Sequence, residues 1–132
     1  MMGALKPEHV LVYSLWAEDV PATVHFYRDV IGLDLMPGHG QHPTFGLDRG
    51  AHLVIVQGPH ALVESTGRGH FPHIAFVVED LDAFVVHLES HVVALPWEIK
   101  DGHDLRWVVL QDPAGNLIEL AQPKGESTNS AE

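Results

Sequence analysis

The sequence contains no cysteine, which excludes disulfide bonds, thiolate metal ligands and a cysteine nucleophile. Any metal site must therefore use nitrogen and oxygen ligands from His, Asp and Glu side chains. The 11 histidines are many for 132 residues, but they are scattered. They show neither the HxH nor the HExxH spacing of a compact metal motif, so their number alone does not indicate a metal site.

Positive charge is also scarce, because seven Lys and Arg residues stand against 18 Asp and Glu residues for a formal charge of −11. Binding to a nucleic-acid backbone requires clustered positive charge, so we expect no nucleic-acid partner. The acidic balance has two readings: it favours cationic ligands, or it simply keeps a small protein soluble.

Long apolar runs are missing as well, since none approaches the roughly 18 residues that a membrane-spanning helix needs. The N-terminus lacks the basic and apolar segments of a signal peptide, so we expect a cytoplasmic protein without a membrane partner. A content of 45% apolar residues is enough for a core. We predict one domain over residues 1–123 and a disordered polar tail over residues 124–132.

The first half of the chain predicts a strand, a helix and three further strands. Residues 9–16 (HVLVYSLW) form an apolar and β-branched run that is typical of a strand buried on both faces. Asp19 is the predicted helix N-cap, and Gly32 is the predicted end of the helix. The extended segments that follow are residues 33–36, 43–47 and 52–57. Residues 9–57 therefore predict a βαβββ unit.

The second half repeats this order after a polar connector at residues 58–70. Its predicted elements are a strand at 72–78, a helix at 81–88 and strands at 92–99, 105–110 and 117–121. An offset of 61 residues aligns Glu18 with Glu79 and Asp19 with Asp80. Residues 72–122 are thus a second βαβββ unit, and we predict an α+β fold in which two tandem units bury their apolar faces against one another.

Three segments resemble the vicinal oxygen chelate superfamily, which includes glyoxalases, bleomycin-resistance proteins and extradiol dioxygenases. They are EDVPATVHFYRDVIGLDL at residues 18–35, FPHIAFVVEDLDAF at residues 71–84 and DPAGNLIEL at residues 112–120. The resemblance covers about residues 9–123. It implies a mixed curved sheet around a cleft, a homodimer, and divalent-metal ligands on the first and last strands of each repeat.

Two residues match the metal-ligand positions of the superfamily, both in the second repeat. His73 matches the ligand of the first strand, and Glu119 matches the glutamate of the last strand. An imidazole nitrogen and a carboxylate suit Zn²⁺, Fe²⁺, Ni²⁺ or Mn²⁺. Seven residues before Asp80 stands His73, whereas seven residues before Asp19 stands Val12, so the first repeat has lost its histidine.

The residue equivalent to Glu119 in the first repeat depends on the alignment. Pairing LIELAQP with LVIVQGP assigns Ile55 to this position, whereas counting from the turn glycines assigns Val54. Neither side chain binds metal. In the Val54 alignment, His52 lies two residues away on the same strand face and is a candidate replacement ligand. In the Ile55 alignment, His52 points away from the cleft.

The remaining candidates lie in loops or at a strand start. Five histidines are expected in loops, where a solvent-exposed side chain is a simpler interpretation than a substitute metal ligand. They are His39, His42, His60, His70 and His103. Arg106 and Trp107 begin a strand on opposite faces, so one can contact an anionic or planar ligand while the other packs. The sequence leaves their faces open.

Two classes of function follow from these residues. In the first, a metal held by His73, Glu119 and a third ligand binds two neighbouring oxygens of a substrate, with Glu119 as the candidate proton shuttle. Lyase, isomerase and dioxygenase chemistry are all implied by the resemblance. In the second, the cleft contains no metal and binds a small cationic molecule, as in drug-sequestering relatives. Val12 and Ile55 then supply apolar walls, and Ser14, His73 and Glu119 supply polar contacts.

Overall fold

The computed structural model describes residues 5–37, 42–58 and 74–124, and it shows two four-stranded mixed sheets with a helix packed on each. The elements of the first repeat are β1 (Val12–Ala17), α1 (Val20–His25), β2 (Asp34–Leu35), β3 (Thr44–Gly46) and β4 (His52–Gln57). Those of the second are β5 (Ile74–Val77), α2 (Leu81–Ser90), β6 (Lys100–Asp101), β7 (Leu105–Gln111) and β8 (Leu117–Pro123). The predicted α+β fold of two tandem βαβββ units is confirmed.

The two sheets have the same topology, with strand orders β1-β4-β3-β2 and β5-β8-β7-β6. The pairs β1–β4 and β5–β8 are parallel, and the other pairs are antiparallel. A helix follows β1 and β5 directly, which agrees with the need for a crossover before a parallel partner strand. Ser14 pairs with Val54 in the first sheet, and Ala75 pairs with Glu119 in the second.

The first helix begins and ends at the predicted residues. Asp19 is its N-cap, and the Oδ1 atom accepts a hydrogen bond from the backbone N–H of Ala22 at 3.0 Å. After His25 the helix continues as a wider π-helical segment, Phe26–Ile31, which buries Phe26 and Tyr27. Gly32 ends it with a φ of 97°, a left-handed conformation that glycine adopts without steric cost.

Two predicted strands differ from the structure. Residues 9–16 were expected to be buried on both faces, but β1 alternates between exposed and buried residues, because one face packs on the core and the other is open. Residues 92–99 contain no strand, and the pairing with β7 is limited to Lys100 and Asp101. Val92 has a φ of 60° and Pro96 has no backbone N–H, and both features disfavour an extended paired segment there.

Buried residues from both repeats form one hydrophobic cluster, which includes Tyr27, Leu53, Leu88 and Leu120. Hydrogen bonds between described residues also cross between the repeats. Tyr27 Oη donates to Asp112 Oδ2 at 2.7 Å, Asn116 Nδ2 donates to the carbonyl oxygen of Trp16 at 3.0 Å, and His87 Nε2 donates to the carbonyl oxygen of Val30 at 2.7 Å. The core side of each sheet therefore faces the other repeat.

Most of the predicted C-terminal tail lies outside the described residues. Lys124 is described and is held in place, because its backbone N–H donates to the carbonyl oxygen of Asp104 and its Nζ atom pairs with Asp101. Among the helices that the structure describes, none is long and apolar enough to span a membrane.

Candidate functional site

Glu119 lies on the face of the second sheet that points away from the core. Its neighbours on β8, Ile118 and Leu120, are fully buried on the opposite face, as strand alternation requires. The Glu119 side chain is half-buried, and this burial raises the pKa of its carboxyl above the ordinary value. Within a strand of apolar residues, this position holds a partly desolvated carboxylate.

Small and apolar side chains surround Glu119 on this open face. Its cross-strand partners are Ala75 on β5 and Val109 on β7, and cross-strand partners share a face. The next row across the sheet consists of Val77, Ala121, Trp107 and Lys100. Because alanine side chains are short, Ala75 and Ala121 leave room beside the carboxylate, and larger side chains such as Val109 and Trp107 flank it on β7. We call this the Glu119 recess.

The equivalent position in the first sheet is occupied by Val54. Ser14 pairs with Val54 as Ala75 pairs with Glu119, and Ser14 and Ala75 are related by the same offset of 61 residues. Ile55 is completely buried in the core on the opposite face of β4. Ile55 was predicted to form an apolar wall of the cleft, and this prediction is wrong because its side chain lies in the core. Val54 faces the open side of the sheet instead.

The open face of the first sheet also carries Val12, Ser14 and His52. Val12 and Ser14 are exposed, and His52 is half-buried. His52 is the direct cross-strand partner of Val12, so an imidazole lies one strand away from the position that has lost its histidine. The strand pairing thus agrees with the Val54 alignment, in which His52 lies on the same strand face as the residue equivalent to Glu119.

The predicted metal ligands are only partly within the described residues. His73 lies outside them, immediately before β5. Among the residues with described positions, no three His, Asp or Glu side chains come together as a metal-binding group. Val12 and Val54 occupy the first-repeat positions where the superfamily resemblance implies ligands, and neither can coordinate a metal. The described residues thus supply single donors, Glu119 and His52, rather than a complete set.

Strand alternation also separates Arg106 from Trp107. Arg106 lies on the core side of β7, where its guanidinium forms two hydrogen bonds of 3.1 Å with the carboxylate of Asp82. Trp107 lies on the open face with Val109. The sequence did not decide between the two residues, and it gave no role to Trp97. Period-two alternation with the buried Val108 and Leu110 is the signal that could have placed Trp107 on the open face.

A cavity of about 240 Å³ adjoins the Glu119 recess on the open face of the second sheet. It is lined by Trp97, Glu98, Lys100, Trp107 and Val109. Val109 connects the two features, because it lines the cavity and is the cross-strand partner of Glu119. We call this the tryptophan cavity.

A larger cavity of about 810 Å³ lies along the edge of β5, and its lining includes His9, Tyr13 and Arg49. It meets the open face of the second sheet only at Ala75 and Val77. Tyr13 and Phe76 line it from the core-side faces of β1 and β5, so it lies at the junction of the repeats. We do not place the site there, because neither Glu119 nor His52 lines it.

Of the loop histidines named above, two are within the described residues. His42 and His103 are exposed, as expected for solvated loop positions. His39, His60 and His70 lie outside those residues.

A family model described as the Glyoxalase/Bleomycin resistance protein/Dioxygenase superfamily matches residues 6–120. The chain belongs to this superfamily. The match covers both repeats and agrees with their shared topology. No curated protein matches the chain significantly.

Solved structures with the superfamily's fold are similar to nearly the whole chain. TnmS3, an antibiotic binding protein from a Streptomyces species, is 26% identical with a TM-score of 0.71, over 92% of this chain and 100% of its own. A lactoylglutathione lyase from Agrobacterium tumefaciens is 24% identical with a TM-score of 0.67, over 96% and 100% of the two chains. An integron cassette protein from V. cholerae is 20% identical with a TM-score of 0.69, over 91% and 98%. The solved structures that share this fold thus include both a lyase and an antibiotic binding protein.

Proposed function

We propose that this protein binds and sequesters a small cationic molecule at the Glu119 recess. The observation that carries the proposal is the half-buried carboxylate of Glu119 among Ala75, Val109 and Ala121, on a face that points away from the core. A partly desolvated carboxylate that short side chains leave accessible attracts positive charge more strongly than one in water. The formal charge of −11 favours the approach of a cation.

The first sheet supports binding more than metal chemistry. Val12 and Val54 stand at the positions equivalent to His73 and Glu119, so the open face of the first sheet offers apolar side chains instead of ligands, and it would meet a Glu119 recess only through a second copy. Ser14 adds a polar contact on the same face. The likeness to an antibiotic binding protein at 26% identity is consistent with this reading.

Isothermal titration calorimetry with bleomycin-like cationic compounds tests the proposal. We expect saturable binding that Glu119→Gln weakens at least about tenfold, because the charge is removed while the size of the side chain is kept. The exposed Glu79→Gln is the matched control and should bind like the wild type. Equal affinities of the wild type and Glu119→Gln for every compound would refute the proposal.

A metal-dependent lyase, isomerase or dioxygenase is the second candidate function. One observation favours it. His52 pairs directly with Val12, so an imidazole lies beside the first-repeat position at which the histidine equivalent to His73 is missing. Because the open faces of the two sheets of one chain point away from each other, we propose that Glu119 and His73 of one copy, with His52 of a second copy, are the ligands for Zn²⁺, Ni²⁺, Mn²⁺ or Fe²⁺.

Metal content measured after reconstitution with each of these ions distinguishes the two candidates. About one equivalent of metal, lost in Glu119→Ala, His73→Ala and His52→Ala alike, supports the metal site. Absence of stoichiometric metal under all four conditions counts against it and leaves sequestration as the remaining candidate.

A homodimer is part of the proposal, because apolar side chains are exposed on the open faces of both sheets. Trp16 and Val12 are 47% and 45% exposed on the first sheet, and Val77 is 75% exposed on the second. Trp16 and Val77 are related by the 61-residue offset, so a second copy can cover equivalent patches by two-fold symmetry. Light scattering should show a dimer that Val77→Asp dissociates. A monomer at every concentration would contradict this expectation.

A further inference from the structure

The tryptophan cavity has a size and a lining that narrow the class of ligand. Its volume of about 240 Å³ is below the roughly 300 to 1,000 Å³ typical of pockets for drug-sized molecules. It therefore suits one ring system of a ligand whose remainder extends along the open face. Two indoles and Val109 form its apolar part. Indole surfaces favour flat aromatic rings and cations over flexible aliphatic chains.

The charges around the cavity favour a cation. Glu98 and Lys100 line it, and Glu119 follows beyond Val109, so two carboxylates stand against one ammonium group. Trp107 and Glu119 are diagonal neighbours on adjacent strands, a relation in which residues lie about 7 to 8 Å apart. A molecule that contacts Glu119 can therefore also reach the indole of Trp107. A planar ring on Trp107 and a positive charge near Glu119 can therefore belong to one ligand.

The position of the Trp107 ring is set by Gly102. A Cβ atom at residue 102 would lie 2.9 Å from Trp107 Cζ3 and 3.3 Å from the carbonyl oxygen of Leu105. The backbone N–H of Gly102 donates to that carbonyl at 2.8 Å, which keeps the turn between β6 and β7 tight. The ring thus packs directly on the glycine backbone. A wall held in this way loses little conformational entropy when a ligand stacks on it.

From these observations we propose that the tryptophan cavity binds the flat aromatic ring of a cationic ligand, whose positive charge is held by Glu119 in the adjoining recess. This inference rests on the proposed small-molecule binding at Glu119 and specifies its ligand as a planar aromatic cation. Gly102 is a positioning residue, since it acts through Trp107.

The test compares three probes: proflavine as a planar cation, tetraethylammonium as a cation without a flat ring, and anthracene-2-sulfonate as a planar anion. Binding to the full chain is measured by calorimetry, and circular dichroism verifies that each variant is folded. We expect proflavine to bind at least about tenfold more tightly than either of the other probes, because only proflavine satisfies both the indoles and the carboxylate.

Substitutions at the cavity separate stacking from simple apolar contact. Trp107→Leu should weaken proflavine binding about tenfold or more, whereas Trp107→Phe, which retains a ring, should weaken it by less than about threefold. Gly102→Ala should weaken proflavine binding nearly as much as Trp107→Leu, because the added Cβ atom displaces the Trp107 ring although every side chain that lines the cavity is kept. Val86→Ala, at an exposed position on α2, is the control and should not change the affinity.

The outcomes distinguish this inference from the proposed function. If tetraethylammonium and proflavine bind equally, with dependence on Glu119 but not on Trp107, the inference is overturned and binding at Glu119 stands. If no probe binds, both fail. Equal effects of Trp107→Leu and Trp107→Phe would also overturn the inference, because they would show that the ring face is not used.

Discussion

Glu119 lies between two buried strand residues, and its own outward-facing side chain is also partly shielded from water. A strand position between two fully buried residues usually gives its outward side chain an unhindered contact with water. Here the surrounding sheet removes part of that water, and this desolvation raises the pKa of the Glu119 carboxyl. A carboxylate that the fold destabilises in this way is typical of a binding or catalytic position.

The sign of the pKa shift predicts how stability changes when the carboxyl is replaced. The folded pKa lies above the unfolded value of about 4.3, so the contribution of this group to stability is complete below that pH and is lost as the pH rises through the folded pKa. We therefore expect Glu119→Gln to have a melting temperature equal to or above that of the wild type at pH 7. The difference should shrink towards pH 4.

Thermal denaturation at the two pH values checks this expectation, with Glu79→Gln as the control at an exposed site. A lower melting temperature of Glu119→Gln at pH 7 would show that the carboxylate stabilises the fold instead.

The two helices are capped alike at their N-termini and differently at their C-termini. Asp19 and Asp80 each accept a backbone N–H at 3.0 Å. The first helix ends at Gly32 in the left-handed conformation, whereas the left-handed residue after α2 is Val92, with a φ of 60°. For a β-branched residue this conformation costs about 1 to 2 kcal/mol, so the second repeat stores strain where the first has none.

Relief of this strain should stabilise the protein. The Val92 side chain is 91% exposed, so its removal loses almost no packing. We expect Val92→Gly to raise the free energy of unfolding by about 0.5 to 1 kcal/mol, after the greater unfolded-state entropy of glycine is subtracted. Val86→Gly is the matched control, because Val86 is 65% exposed inside α2 and the same change there should cost about 1 kcal/mol.

Urea denaturation of the two valine variants measures both effects. Loss of stability in Val92→Gly comparable to that in Val86→Gly would mean that the left-handed conformation carries no penalty.

For the whole molecule, the DPAGN turn is a joint between the repeats. Asp112 is 4% exposed, and its Oδ1 atom accepts the backbone N–H groups of Ala114 and Asn116. Its Oδ2 atom accepts hydrogen bonds from Tyr27 Oη, which belongs to the first repeat, and from Asn116 Nδ2. Asn116 Nδ2 also reaches the carbonyl of Trp16. Burial and the adjacent carboxylate raise the pKa of Tyr27, so its phenol stays protonated as the donor.

A double-mutant cycle on Tyr27→Phe and Asp112→Asn measures the strength of this joint. Each single change should cost about 1 to 3 kcal/mol, because it leaves a buried partner unsatisfied or weakens its hydrogen bond. The double variant should be more stable than the sum of the single losses predicts, with a coupling energy of at least about 1 kcal/mol. Tyr13→Phe is the control and should cost less than about 0.5 kcal/mol. A coupling energy near zero would show that the contact does not join the repeats energetically.

Local signals in the sequence were enough to predict the elements with strong boundaries. Asp19 and Gly32 mark the ends of the first helix through a hydrogen bond and a backbone conformation that involve only neighbouring residues. The β4 and β8 runs were also predicted, since apolar residues dominate both. Residues 92–99 were predicted wrongly because the composition suits a strand, whereas a strand exists only if a partner pairs with it.

The sequence by itself therefore determined the duplicated βαβββ order, the superfamily and the asymmetry between the repeats, all of which depend on residue type and spacing. Only the tertiary structure decided that Val54 rather than Ile55 corresponds to Glu119, that Arg106 pairs with Asp82, and that Trp107 lies beside the recess. The physical reason is that a shift of one residue in strand pairing exchanges the two faces of a sheet, and that pairing is formed between residues that are distant along the chain.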